Sequence, residues 1–426
     1  MGSTYQWGIG PVANLISTTG VTSGKDVEEI ITPSDGQVMT VARNGSLTVT
    51  IDPSTPPYTI ASAGTSGVTL GVLKFHAANE AINLERFALQ LTNVASSSIN
   101  DLTSLSLWDG STKVGWAMFT NTRFTTSILT TQVIIPKDGD KVITIKGDLA
   151  DIGMNQVGTQ GALIAVDYDG DDLIGTRGVG QSSGSTINSS SRADTKSAGG
   201  RMFKSFPTFA KLTIPSTKII GSETGKTFYR FSVRADSAGS IGVYKFTAYI
   251  ATSSAPIGAT TSVTNLKMKA FTDPYYSSPI SGFGEGGAPA GQLNNTIASL
   301  INVGTTSILM NASTQGVGRD YLQIPAGATY YFQLQGDVTQ TNAPRSATVQ
   351  ARIEGDDKYP HLRGTDQMVS IGSNGLNVVP YAGDLSDFIW SPNATTTSLT
   401  THKDWTNGYF VQGLPADNMD PVVLTQ

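Results

Sequence analysis

The feature that most constrains this chain is that it repeats itself. Residues 135–149, IPKDGDKVITIKGDL, align without a gap to residues 324–338, IPAGATYYFQLQGDV, with Ile-Pro opening both blocks and Gly-Asp near both ends. Three more blocks recur in the same order. LTVTIDPST (47–55) matches AKLTIPST (210–217), LKFHA (73–77) matches FSVRA (231–235), and GALIAVDYDGDD (161–172) matches SATVQARIEGDD (346–357). Four blocks in one order argue for two copies of one unit, so whatever fold one half adopts, the other should adopt too.

Within the blocks, apolar residues alternate with polar ones. In Phe228 to Arg234 the positions Tyr229, Phe231 and Val233 are apolar while Arg230, Ser232 and Arg234 suit water, the period of a half-buried strand. Residues 142–146 and 330–335 read the same way, and Gly, Pro, Asn and Asp between the runs supply turns. These patterns predict an all-β protein of two tandem antiparallel Ig-like β-sandwich domains related by internal duplication, with one short helical turn near 293–300. The expected organisation is an extended N-terminal segment (1–35), a first sandwich (36–174), a Ser/Gly-rich linker (175–205), a second sandwich (206–379) carrying a long loop (274–307), and an aromatic-containing C-terminal segment (380–426) whose last residues fray. Each unit is long enough to bury its own core.

Composition narrows the partners. Charged residues make up 14% of the chain, and the 96 Ser and Thr with 46 Gly account for a third of its 426 residues. A net charge of −5 without a basic stripe leaves nothing to neutralise a run of phosphates, so nucleic acid is excluded as a partner. No stretch is apolar for the length a transmembrane helix needs, and MGSTYQWGIGPV lacks a basic segment followed by an apolar one. With no Cys, disulfides, thiolate nucleophiles and Cys-ligated zinc are unavailable.

Several motifs invite chemistry. GSETGKT (221–227) has three residues between its glycines where a phosphate loop needs four, and a strand pattern follows, so it reads as a hairpin turn. Asp167, Asp169, Asp171 and Asp172 alternate beside Gly170 like the start of a calcium loop. The helical calcium loop would then need Gly and Glu where Asp172 and Gly178 stand, which leaves a calcium site of another type or a capped turn as the two readings. The histidines His76, His361 and His402 have neither metal-ligand spacing nor a nucleophile elbow beside them, and His76 reads as a solvated strand residue. Two carboxylates at a set separation, as a glycoside-cleaving enzyme requires, are a geometry the sequence does not decide. The aromatics Trp390, Trp405, Tyr275 and Tyr276, with Trp108 and Trp116, fit either a stacking platform for sugar rings or core packing.

The blocks VARNGSLTVTIDPSTPPYTIASAGTSGVTLGVLKFHAANEAINLERFALQLTN, SLSLWDGSTKVG, IIPKDGDKVITIKGDLADIG, GALIAVDYDGDD and RMFKSFPTFAKL, with the closing SDFIWSPNATTTSLTTHKDWTNGYFVQGLP, resemble the repetitive predicted cell-surface proteins of candidate-phyla-radiation bacteria of the Patescibacteria and Parcubacteria type. The resemblance spans most of 36–415 and implies export and a place in the cell envelope. It carries over no catalytic residue. The expectation is a non-enzymatic envelope protein that self-associates, of surface-layer type. The alternatives are an adhesin holding cell-wall or host glycans through the aromatics or the 274–307 loop, and a glycosidase.

Overall fold

A computed structural model of the chain describes residues 4–9, 18–27, 34–40, 45–94, 96–283, 290–310, 321–359, 386–394, 405–416 and 418–426. His361, His402 and the end of the expected second unit (360–379) lie outside them. Strands dominate and almost all pair antiparallel, as the alternation requires; the one helical element among the described residues is the 3-10 turn Ile99–Asp101. The helical turn expected near 293–300 does not form, because Leu266 and Val263 pair instead with Ile297 and Ile301 in extended bridges.

The first sandwich is led by a six-stranded sheet. Its order is Ile128–Leu129, Thr112–Ala117, Leu102–Asp109, Gly139–Leu149, Val68–Ala78 and Ser46–Ile51. Shorter sheets built on Ala88–Leu91, Ile82–Arg86 and Gly200–Phe203 close the other side around one core that includes Leu47, Phe75, Phe87, Ile143, Ile145 and Tyr168. The second sandwich opposes a four-stranded sheet, Pro207–Leu212, Glu223–Ala235, Thr329–Thr341 and Thr260–Phe271, to a seven-stranded one centred on Ile241–Ala255. Its core is aromatic, with Phe228, Phe231, Phe246, Phe332, Phe388 and Trp390 fully buried. Tyr229, Phe231 and Val233 point inward as read, while a register shift between Thr227 and Tyr229 turns Phe228 inward as well.

The sequence blocks fall on strands with the same neighbours in the two sheets. Ser46–Ile51, Val68–Ala78, Gly139–Leu149 and Leu102–Asp109 run in the order that Pro207–Leu212, Glu223–Ala235, Thr329–Thr341 and Thr260–Phe271 repeat. Leu73 faces Ile143 in one sheet, and Phe231 faces Phe332 in the other, at positions the block alignment equates. The outer strand departs from the alignment by three residues: Ile51 faces Leu73, but Lys211 rather than Ile214 faces Phe231. The matched Pro-Ser-Thr ends lie beyond both strands and do not set their register.

Three expectations are corrected. The segment 175–205 is no linker: Arg177–Gly180 pairs with Ile82–Arg86, Thr186–Asn188 with Arg177–Gly180, and Gly200–Phe203 with both Ala162–Ile164 and Thr59–Ser62. Its hydroxyls accept and donate inside the fold. The buried Tyr168 hydroxyl donates to Ser189 Oγ at 3.0 Å, and Ser191 Oγ accepts from the Val49 amide at 2.8 Å. The loop 274–307 is not free either, because Gln292, Ile297 and Ile301 bridge the edge strand Thr260–Phe271 and Val303–Leu309 joins Ile241–Ala255. The C-terminal end does not fray: Val422–Thr425 is a strand on Ser346–Ile353.

The two sandwiches meet through that same 200–205 stretch. Phe203 belongs to the second core, 5.1 Å from the Trp390 ring. Arg201, buried beside it, donates to Tyr58 Oη at 2.7 Å and to the Gly161 carbonyl at 2.5 Å, with its guanidinium 3.6 Å from the Tyr359 ring centroid. Burial pushes the Tyr58 phenol up to about 12, against the pull of Arg201. A charge taken out of water is tolerated here because aromatic faces and two oxygens replace its solvent.

Candidate functional site

A cleft of about 480 Å³ opens on the second sandwich, lined by Thr272, Pro279, Ile280, Ser281, Gly282, Phe283, Tyr321, Leu322, Gln323 and Tyr330. Three elements make it. Tyr330 comes from the start of Thr329–Thr341 and lies two residues before the core residue Phe332, so its ring is left at the open rim of the sandwich. Leu322–Ile324, paired to Ile241–Ala255 in the opposite sheet, brings Tyr321 and Gln323. The turn after Thr260–Phe271 supplies the third wall. Thr272 donates its amide to the Ser278 carbonyl at 2.9 Å, and the Asp273 carboxylate accepts from the amides of Tyr275, Ser277 and Ser278. Desolvation pushes the Asp273 carboxyl up, but these bonds together outweigh it and hold the carboxyl below the ordinary carboxylate range, and they fix the turn that leads into Pro279.

The lining suits a neutral, partly apolar ligand. Phe283, Tyr321 and Tyr330 offer ring surface, while Thr272, Ser281 and Gln323 offer hydroxyl and amide groups. Gln323 is exposed and donates through Nε2 to Ser240 Oγ at 3.3 Å. Burial raises the Tyr330 phenol. No carboxylate or histidine belongs to this lining, so the pair of acids that glycoside cleavage needs is not assembled among its described residues.

The aromatics singled out in the sequence divide. Trp390 is fully buried with its Nε1–H donated to the Asn407 carbonyl at 2.8 Å, so of its two readings the stacking platform is corrected and the core role stands. Tyr276 is also turned inward. Its ring lies under the Arg230 guanidinium at 3.7 Å and edge-on to Phe271 at 5.3 Å, which leaves it no open platform. Trp405 is buried yet adjacent to the cleft, packed edge-to-face on Tyr321 and Tyr244 at 6.1 Å and 5.9 Å, and so backs one of the cleft's rings. Tyr275 stands at the tip of the 273–278 turn, 86% exposed. Outside this cluster, the Trp108 ring is half-buried with Lys146 over it at 4.5 Å, and Trp116 is exposed on the first sandwich.

The acidic run spends its carboxylates on the fold. Asp167 is buried and accepts from Thr92 Oγ1 at 2.8 Å, Thr195 Oγ1 at 3.1 Å and the Ser197 amide at 2.7 Å; Asp169 accepts from the Asp171 amide, and Asp172 from the amides of Ile174 and Gly175. Asp171 is exposed. Among the described residues no group of three or more His, Cys, Asp or Glu gathers to hold a metal ion. Desolvation raises both Asp167 and Asp169 above the ordinary carboxylate range, with those hydrogen bonds pulling the other way. His76 is half-exposed and sits 2.7 Å from Asp140. Gly225, expected in a hairpin turn, instead lies at a register shift inside Glu223–Ala235, at φ 67°, its amide on Asp337.

Tyr321, Tyr330 and Phe283 were not singled out in the sequence. The available signal was Tyr330-Tyr331-Phe332, three aromatics in one strand, which a single core layer cannot all absorb.

No family model matches the chain, and no curated protein matches it by sequence. Solved structures similar to it include the C-terminal domain of the Streptococcus agalactiae AgI/II polypeptide BspA, at 9% identity and a TM-score of 0.17 over 73% of this chain and 95% of that one. The S. aureus collagen adhesin CNA matches at 12% identity and a TM-score of 0.13, over 72% and 85% of the two chains. The collagen-binding domain of the Erysipelothrix rhusiopathiae surface protein RspB matches at 10% identity and a TM-score of 0.14, again over 72% and 85%. At these TM-scores the matches assign no residue a role. No helix among the described residues is long and apolar enough to cross a membrane.

Proposed function

We propose that the chain is a non-enzymatic cell-surface protein whose second sandwich holds a neutral saccharide in the Tyr321–Tyr330 cleft. The observation that carries the reading is the lining itself: rings from two sheets and one turn, with hydroxyl and amide donors between them and no charged side chain. Sugar rings present flat C–H faces to aromatics and hydroxyls to Thr, Ser and Gln, and the cleft has the size and mixed polarity of small-ligand sites. The location rests on the sequence resemblance to envelope proteins. Duplication of one unit is part of the same proposal, supported by the shared strand order and the paired Leu73–Ile143 and Phe231–Phe332 positions.

The test is a glycan array followed by calorimetry with the full chain. Binding to a neutral saccharide should fall by roughly a hundredfold in Tyr330→Ala, the ~3 kcal/mol of a buried aromatic anchor. It should weaken about tenfold in Gln323→Ala, an exposed position whose loss leaves the melting temperature in place. Silence on every neutral glycan, or binding unchanged in both variants, sinks the reading. Capture of peptides instead would assign the cleft to another ligand class.

A further inference from the structure

The outer face of the second sandwich's four-stranded sheet carries cations that no acid meets. Leu266, Met268 and Ala270 face the core, so Lys267 and Lys269 face out, as do Arg230 between Tyr229 and Phe231 and Gln333 between Phe332 and Leu334. Register puts Arg230, Gln333 and Lys269 in one row across three strands, with Lys267 two residues along from Lys269. The Arg230 and Lys269 backbones are two strand spacings apart, about 10 Å, a gap that two long side chains can close on one small group.

The matching sheet of the first sandwich differs. There Lys74 and His76 both reach Asp140, and Lys141 meets Asp109. Among the described residues Arg230, Lys267 and Lys269 enter no salt bridge. Asp337, which feels the Lys267 charge, is spent on the Gly225 amide at 2.8 Å and Asn265 Nδ2 at 2.7 Å. Arg230 Nη2 donates to Gln333 Oε1 at 3.3 Å, and Gln333 Nε2 donates in turn to Thr227 Oγ1. Arg230 Nε and the Tyr276 hydroxyl, both buried, have no hydrogen-bond partner among the described residues. Burial pulls Arg230 and Lys269 below their ordinary ranges, with Lys267 adding to the second. Cations drawn out of water beside one another cost stability unless an opposite charge offsets them.

We propose that this row binds one oxyanion group, a sulfate, phosphate or carboxylate, between Arg230 and Lys269, with Lys267 adding charge and Gln333 aiming the guanidinium. Three cations are too few to track a run of phosphates but enough for one anionic group, which the Arg230 fork and the Lys269 ammonium hold by charge-assisted hydrogen bonds. The site is separate from the neutral cleft, although the turn that lays Tyr276 on Arg230 also supplies Thr272 and Pro279 to the cleft's wall.

Calorimetric titration of the full chain at fixed ionic strength, with sodium sulfate in one arm and a sulfated disaccharide in the other, tests this without any neutral glycan. Saturable one-to-one binding is expected. Lys269→Gln should weaken it about tenfold, the loss of a charge-assisted contact, and Lys267→Gln by less, the loss of a nearby charge. Should Lys269→Gln unfold the chain, Lys267→Gln and Arg230→Lys, which keeps the charge but loses the fork, carry the comparison. Tighter binding of the disaccharide assigns the group to a sugar chain, and equal affinities assign a free oxyanion. No saturable heat from either probe, or variants that bind like the parent, overturns the proposal.

Discussion

The two sandwiches end the same strand with different acids. In the first, the buried carboxylates are Asp167 and Asp169, and they close on the residues that follow: Thr195, Ser197 and Asp171. In the second, the aligned positions are Arg352 and Glu354, which bond each other at 3.0 Å while Arg352 lies over the Tyr249 ring. The clamp moves two residues along, to Asp356, aligned with the exposed Asp171. Asp356 is buried and accepts from the amides of Asp387 at 2.7 Å, Phe388 at 3.2 Å and Gly408 at 2.7 Å. In both units a carboxylate fastens a later, Ser/Thr-rich or aromatic segment over the core. What differs is which segment is fastened and by how many backbone donors, since hydroxyls can turn to another acceptor and amides cannot.

The largest effect that would break the comparison is therefore expected at Asp356. Asp356→Ala takes this acceptor from three amides, two of them buried and one part-buried, at about 1–3 kcal/mol for each buried one. It should release residues 386–394 and 405–416, seen as faster hydrogen exchange there and several kcal/mol lost in denaturant melts. The same substitution at Asp167 strands one amide and two hydroxyls and should cost about 1–3 kcal/mol, with exchange rising near 195–197. Equal losses at both sites would contradict the distinction between amide and hydroxyl donors.

The pH dependence sharpens it. Burial pushes the Asp356 carboxyl up to about 7, outweighing its three amide donors. The folded chain then binds a proton that the unfolded chain releases from about pH 4 upward, so this contribution is complete below pH 4 and lost as pH rises through 7. The change is at most on the order of 4 kcal/mol, and Asp356→Asn should flatten that part of the stability profile. Glu80 has the opposite sign. The amides of Gly45, Ser182 and Ser183 and the Ser183 hydroxyl hold it below the ordinary carboxylate range, so its contribution is present above that range and lost as pH falls through its folded value. Glu80→Gln should blunt the acid limb measured by thermal melts. The smallest effect belongs to Tyr275→Ala, exposed at a turn tip, which should change stability by less than about 0.5 kcal/mol.

Much of the fold was legible, because period-2 alternation and the repeated blocks act over short distances. Phe231, Val233, Ile143 and Ile145 could be placed on core faces from their spacing alone. The segment 175–205 misled for a physical reason: a Ser- and Gly-rich run reads as linker, and only the hydrogen bonds to Tyr168 and Val49 and the strand pairing with Arg86 reveal that the segment has partners. Trp390 and Trp405 show the same limit. Both sit in Pro- and Thr-rich surroundings, yet one fills a core and the other backs a cleft ring.

By itself, then, the sequence determined that this chain is strands, that its two halves share a pattern, and that it holds no thiol, no basic stripe and no long apolar span. Tertiary structure decided which carboxylate clamps which segment and where three aromatic rings are left facing a cleft. The reason is that strand period is a property of neighbouring residues, whereas a buried acid's donors and a cleft's walls come from residues up to a hundred positions apart, brought together only by the packing of two sheets.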